Sequence, residues 1–174
     1  LQRDLAMGYF NLAAAQLSTG GISEARQNLH DAETAFERLL QLEPSVFKHA
    51  RRLSLTQRLL GDVHAAAGET AKAQAYFQQA RETLTQLLAE NPRVQDLSVD
   101  LAGVLMNLGA LNAQLNETQQ ALTDLEAAAK LLEKLNEGEN SIPRYRRDLA
   151  ATRRALGQLQ LAQGQSSEAL QSLK

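Results

Sequence analysis

The chain has no cysteine and no tryptophan, only three prolines in 174 residues, and a formal charge of −2 from eighteen Lys and Arg against twenty Asp and Glu. Each shortage removes a class of protein. Without thiols there is neither a disulfide frame nor a zinc site built on thiolates. A charge so nearly balanced gives no global field to hold a polyanion, which argues against nucleic acid as a partner. No run of roughly 18 apolar residues is present to span a bilayer, and no signal-peptide pattern appears, so a soluble, cytoplasmic segment without membrane contact is expected. The first residue is Leu1 rather than methionine, which reads as a piece of a longer protein. Aromatic and β-branched residues are sparse beside Ala, Leu, Gln, Glu and Arg, a balance that favours helix almost throughout.

What is present is a period. Leu12, Leu60, Leu108 and Leu156 fall 48 residues apart, with no insertion or deletion between them. The same register carries Leu5, Leu53, Leu101 and Leu149; Ala13, Gly61, Gly109 and Gly157; Gly20, Gly68, Asn116 and Gly164; Ala25, Ala73, Ala121 and Ala169; and Leu29, Phe77, Leu125 and Leu173. A fixed period of roughly 20–50 residues marks an array in which each unit buries its apolar face on its neighbours. A single array over 1–174 is expected, with repeats at about 1–44, 45–92, 93–142 and 143–174, the last truncated.

Inside the second repeat, Leu53, Thr56, Leu60, Val63 and Ala67 recur at intervals of three and four, one face of a helix. Gly68 interrupts it. A second helix is predicted from about Thr70 to Glu90, burying Ala73, Phe77, Ala80, Leu84 and Leu87, and Asn91-Pro92 stops it because proline disfavours helix in the residue before it. Each repeat is thus a helical hairpin. Gly61, Gly109 and Gly157 lie inside helices, where glycine costs about 1 kcal/mol relative to alanine. That recurring cost implies close approach of the paired helix, with Ala73 and Ala80 as its matching small surface.

These columns resemble the tetratricopeptide repeat, which carries Leu-Gly in the first helix, glycine at the turn, small, aromatic and small residues in the second helix, and a closing proline. Here the pattern is Leu60-Gly61, Gly68, Ala73, Phe77, Ala80 and Pro92. The family's usual repeat is about 34 residues, so this one resembles a long variant with extended helices. The resemblance implies an all-α, right-handed superhelical solenoid of antiparallel hairpins, about three and a half to four of them, serving as a noncatalytic scaffold for a protein or peptide. The stretches QRDLAMGYFNLAAAQL, QDLSVDLAGVLMNLGAL and IPRYRRDLAATRRALGQL also look like arrays attached to bacterial serine/threonine kinases. A regulatory arm of such a signalling enzyme is therefore an alternative, although no glycine-rich nucleotide loop or catalytic-loop motif occurs here.

Ligands of the family usually lie on the concave face, lined by first-helix residues turned away from the second helices. At 100° per residue, a core face on Leu53, Leu60 and Ala67 leaves Arg51, Leu55, Arg58, Asp62 and Ala65 opposite. The same positions of the fourth repeat are Arg147, Ala151, Arg154, Gln158 and Leu161, whereas the odd repeats present Phe10 and Met106. One position further on stand Asn11 and Asn107. Asparagine can satisfy a peptide backbone, and arginine offers a planar fork to carboxylates. The expected peptide-binding set is Phe10, Asn11, Arg51, Arg58, Asp62, Met106, Asn107, Arg147 and Arg154, with an acidic peptide as ligand. The competing reading pairs Arg58 with Asp62 on the helix surface.

Other chemistry reads as weaker. His30, His49 and His64 fall in different phases of the repeat with no cysteine or second carboxylate at ligand spacing, so no metal or cofactor is expected and His64 reads as a packing residue. Glu24 with Asp31, and Asp124 with Glu126, are expected on exposed helical faces rather than as catalytic pairs. Arg144, Arg146, Arg147, Arg153 and Arg154 form a basic stretch diluted by Asp148. At the ends, Ala169, Leu170 and Leu173 lack a polar capping helix, which suggests either further repeats or self-association.

Overall fold

The computed structural model describes residues 2–137 and 142–172, and all regular structure among them is helical. Leu173, which the sequence places in a core column and a terminal patch, and the link at 138–141, part of a repeat junction, lie outside the described residues, as do Leu1 and Lys174. The chain divides into two compact units, Leu1–Glu90 and Asn91–Lys174. The first holds α1 (Gln2–Ser18), α2 (Ile22–Leu42), α3 (Phe47–Ala66) and α4 (Thr70–Glu90). In the second lie α5 (Gln95–Gln114), α6 (Thr118–Asn136), α7 (Pro143–Ala162) and α8 (Ser166–Ser172). Within each unit every helix packs on the next. No described helix is long and apolar enough to cross a membrane.

The hairpin turns explain the turn column. Gly20, Gly68, Asn116 and Gly164 have φ of 84°, 75°, 61° and 75°, the left-handed region that glycine enters freely and asparagine tolerates. Around each, the next residue's N–H reaches back to the same carbonyl of the first helix. Gly21 bonds to Gln16 at 2.8 Å, Glu69 to His64 at 2.9 Å, Glu117 to Asn112 at 2.8 Å and Gln165 to Gln160 at 2.9 Å. With the shorter bond from the left-handed residue itself, as from Gly68 to Ala65 at 3.0 Å, this is the Schellman arrangement that satisfies the last carbonyls of a helix. The carbonyls of Gly21, Glu69, Glu117 and Gln165 then accept the first bond of the following helix, so one residue closes one rod and opens the next.

At the far end of the second and later hairpins, Val46, Val94 and Ile142 stand at the N-caps of α3, α5 and α7. Pro143 occupies the first turn of α7, where its missing N–H costs nothing.

Packing follows the columns with informative exceptions. All five residues expected on the inner face of α4, Ala73, Phe77, Ala80, Leu84 and Leu87, are buried. In α3, Leu53, Thr56, Leu60 and Val63 are buried as expected, but Ala67 is the exposed C-cap, because the helix has already turned away at that point. A Cβ on Gly61 would stand 2.4 Å from Cε1 of Phe77, and one on Gly109 would stand 2.6 Å from Cγ of Leu125. The glycines therefore do admit the paired helix closely. Their counterpart is the large residue of the second helix rather than Ala73 and Ala80.

The leucine columns fail in α1. Leu60 and Leu156 are 0% and 4% exposed, whereas Leu12 is 50% exposed and Leu5 53%. The reason is what covers them. Leu60 packs with Ala25 and Leu29 of α2, and Leu156 with Leu122, Leu125 and Ala129 of α6. Helix α1 has no such preceding helix on it among the described residues.

Candidate functional site

The expected inner-face residues divide between the units. In the second, α5 and α7 bound a groove of about 330 Å³ lined by Met106, Ala110 and Ala113 on one side and Ala151, Ala155 and Leu159 on the other. Small side chains at those positions leave room that larger ones would fill. Asn107 neighbours Met106 on α5. Arg147 and Arg154 share the stripe of Ala151 and Gln158 along α7, at the three- and four-residue spacings that align side chains on one helical face, and both are exposed. Of the expected residues Met106 lines the groove; Asn107, Arg147 and Arg154 stand on the same two helices outside its lining, and Arg147 lies 3.9 Å from Asp148.

The corresponding residues of the first unit are engaged with one another. The Arg52 guanidinium lies 5.6 Å from the centroid of the Phe10 ring, a cation–π contact. Arg58 pairs with Asp62 at 3.6 Å, the arrangement given above as the competing reading. Burial pushes the Asp62 carboxyl up to about 6, and the Arg58 charge only partly offsets it. Leu17 and Leu59 pack onto the cluster of Ala13, Leu29 and Leu60, filling what would be the groove. Asn11 is exposed and Arg51 half-buried.

A second feature escaped the sequence reading. The residue four before each left-handed turn is polar in every hairpin: Gln16, His64, Asn112 and Gln160. Each meets the residue 12 further on, across the hairpin. The Asn28 amide donates to Gln16 at 2.7 Å, Asn112 donates to Asp124 at 2.8 Å, and the Ser172 hydroxyl donates to Gln160 at 2.8 Å. In the second hairpin the pair is aromatic, with His64 and Tyr76 stacked at 5.3 Å and 8°. Asp124 is therefore 3% exposed and hydrogen-bonded, not the solvated carboxylate expected from its helix position. Four polar residues inside an otherwise apolar stripe were the available signal.

The His64–Tyr76 pair opens onto a polar cleft of about 460 Å³ between α2 and α4, lined also by His30, Glu33, Glu37 and Gln79. The histidines, though out of phase in the repeat, come together: the rings of His30 and His64 stand 6.3 Å apart, edge to face. Each of the three histidines has a carboxylate. His49 bonds to Glu43 at 2.8 Å, His30 lies 3.5 Å from Glu33, and His64 Nδ1 bonds to Glu69. That bond, against some burial, holds the Glu69 carboxyl below its ordinary range, assisted by Lys72 and Arg26. Glu33 is shifted the other way, raised by burial and by the charge of Glu37, while His30 and Tyr76 pull it partly back.

The fold so defined is the tetratricopeptide-like helical-repeat fold, all-α and built of antiparallel hairpins. Two solved structures carry that assignment. BtubC (BKLC) from P. vanneervenii is similar over 99% of this chain and 62% of its own, with a TM-score of 0.76 and 20% identity. The apo form of RapI is similar over 98% of this chain and 41% of its own, with a TM-score of 0.74 and 16% identity. The chain spans less than two thirds of either neighbour. No family model matches the sequence, and no curated protein matches it.

Proposed function

We propose that this chain is a noncatalytic protein-interaction module, a long-period array of the tetratricopeptide type running through 1–174, whose groove between α5 and α7 receives a peptide or helix of acidic character. The observation that carries this reading is the groove itself: an apolar cavity of about 330 Å³ with Met106, Ala110, Ala155 and Leu159 in its walls. A partner would place an apolar side chain there, set acidic residues against Arg147 and Arg154, and take a backbone contact at Asn107. The apolar anchor supplies affinity by leaving water, and the arginine edge selects charge. In the first unit Phe10, Asn11, Arg51, Arg58 and Asp62 form at most a secondary surface, because Arg58 and the Phe10 ring already have partners.

A fluorescein-labelled acidic peptide carrying one leucine provides the test, read by anisotropy against the 174-residue chain. Ala155→Glu, which fills and charges the groove, is expected to abolish binding. The double variant Arg147→Glu, Arg154→Glu weakens it at least about tenfold, and Arg58→Glu by less than about twofold. Binding indifferent to both groove variants ends the proposal.

Exposed Leu5 and Leu12 support a second reading, self-association, in which α1 is covered by the second-helix surface of another copy just as α3 is covered by Ala25 and Leu29. Light scattering over a concentration series decides it. A mass that rises with concentration for the native chain but not for Leu5→Lys, Leu12→Lys is expected; a constant monomer mass excludes it.

A further inference from the structure

The polar cleft of the first unit has a counterpart 96 residues later in the chain, with other side chains in its columns, Ala129 for Glu33 and Glu168 for Lys72 among them. Between α6 and α8 lies a cleft of about 390 Å³ in which Glu126, Glu133, Gln160 and Ser172 occupy the columns of His30, Glu37, His64 and Tyr76. There the chain supplies its own cation: Arg153 reaches in from α7 and donates to Glu133 at 3.0 Å. The residue in the Arg153 column of the first unit is Gln57, which is 7% exposed. Its amide donates to Gln79 at 3.3 Å, and its carbonyl oxygen is buried without a partner.

The first cleft is rich in acceptors, and the lysine in its lining, Lys72, is taken up by Glu69. Among the described residues Glu37 makes no ion pair, while the nearest cations, Lys72 at 3.4 Å and Arg26 at 3.8 Å, are directed to Glu69. The Tyr76 hydroxyl is 3.5 Å from Glu33, at the limit of a hydrogen bond. His64 is 4% exposed, its Nδ1 is held by Glu69, and its Nε2 is buried with no partner. With Nδ1–H given to a carboxylate, a neutral ring offers Nε2 as an acceptor.

We propose that the α2–α4 cleft is a receptor for an arginine side chain of a partner protein, with Glu33 and Glu37 as counter-ions and Nε2 of His64 as a further acceptor. The guanidinium takes the place that Arg153 fills in the second unit. Its five donors in a planar fork match a cleft of dispersed acceptors better than an ammonium does. A metal ion is the weaker occupant, since no group of three or more His, Asp or Glu side chains among the described residues converges on one point. Burial and the charge of Glu37 raise the Glu33 carboxyl above its ordinary range, and an arriving cation lowers it again.

The experiment titrates the whole chain with blocked arginine (acetyl-arginine methylamide) while following the ring signals of His64 and Tyr76 by NMR. Blocked citrulline, the neutral isostere, and blocked lysine serve as comparison ligands. Saturable shifts with a dissociation constant on the order of 1 mM are expected for arginine, at least tenfold weaker for citrulline and several-fold weaker for lysine. Glu33→Gln with Glu37→Gln should lose tenfold or more. Gln57→Arg, which builds the second unit's arrangement into the first, should lose binding to the free ligand altogether. Arg153→Gln should create a new site reported by the Gln160 amide. Absence of shifts with arginine, equal binding of citrulline or lysine, or indifference to both the glutamate and the Gln57 variants would overturn the assignment. Melting curves of the glutamate variants separate lost binding from lost fold.

Discussion

The two units are built on one frame and finished in opposite ways. In the first, the face shared by α1 and α3 is closed by its own side chains, Arg52 on Phe10 and Arg58 on Asp62, while the cation lining the cleft between α2 and α4, Lys72, is held by Glu69. In the second, the groove between α5 and α7 is open, and Arg153 closes the cleft between α6 and α8. Turn geometry and leucine columns are shared; Gln57 against Arg153 and Arg58 with Asp62 against Arg154 with Gln158 are not. The frame positions tolerate few residue types because packing and backbone angles constrain them. Positions one or two residues away on the same helices are free to decide which face accepts a partner.

The strongest way to break this comparison is at the polar pairs inside the hairpins. Asn112→Leu removes the 2.8 Å bond to the buried Asp124 and should cost about 2–3 kcal/mol in a urea titration. Gln16→Leu, at the half-buried member of the same column, should cost under about 1 kcal/mol. Equal costs would mean that the pairs are not differently buried. Next in size is Gly61→Ala, whose new methyl meets the Phe77 ring at 2.4 Å. Overpacking of about 1–3 kcal/mol exceeds the gain in helix propensity of about 1 kcal/mol, so a lower melting temperature is expected. Ala13→Gly should destabilise as well, through propensity and lost packing, which would show that the column is graded rather than uniformly glycine-seeking.

Asp62 gives a smaller effect with a definite sign. Its folded carboxyl titrates near 6, above the ordinary value of 3.8, so the folded state holds its proton more tightly. The associated stability is fully present below pH 3.8 and is lost as pH rises through 6. With 39% of the side chain exposed, the amount should stay below about 1 kcal/mol. Asp62→Asn should flatten the stability profile in that window; an unchanged slope would count against a desolvated carboxyl in the first unit. Smallest of all, Asn116→Gly relieves the 61° φ and should raise stability by about 0.5 kcal/mol, bringing the third turn into line with its three glycine counterparts.

The frame was legible because its residues act locally. Glycine at a left-handed turn, proline at a helix start and apolar side chains at three- and four-residue spacing carry their reasons with them, wherever the rest of the chain lies. Leu12 marks the limit of that logic: the side chain is right for a core, yet among the described residues no helix precedes α1 to cover it. The cleft was illegible for a related reason. His30 and His64 occupy different phases, so a search for metal-ligand spacing separates two rings that the packing of α2 on α3 brings to 6.3 Å. Arg153 and Glu133 are likewise joined across α6 and α7, and only comparison of columns 96 residues apart reveals that Gln57 stands in the place of an arginine.

The hairpin turn has one more consequence. Because the same main-chain hydrogen bonds around one left-handed residue close it in every hairpin, it demands little of the neighbouring side chains. Glutamine, histidine and asparagine can therefore exchange at the position four residues before the left-handed one without changing the height at which the hairpin offers them. Each turn acts as a mounting of constant length: substitution alters what a hairpin presents, while where on the hairpin it is presented stays the same.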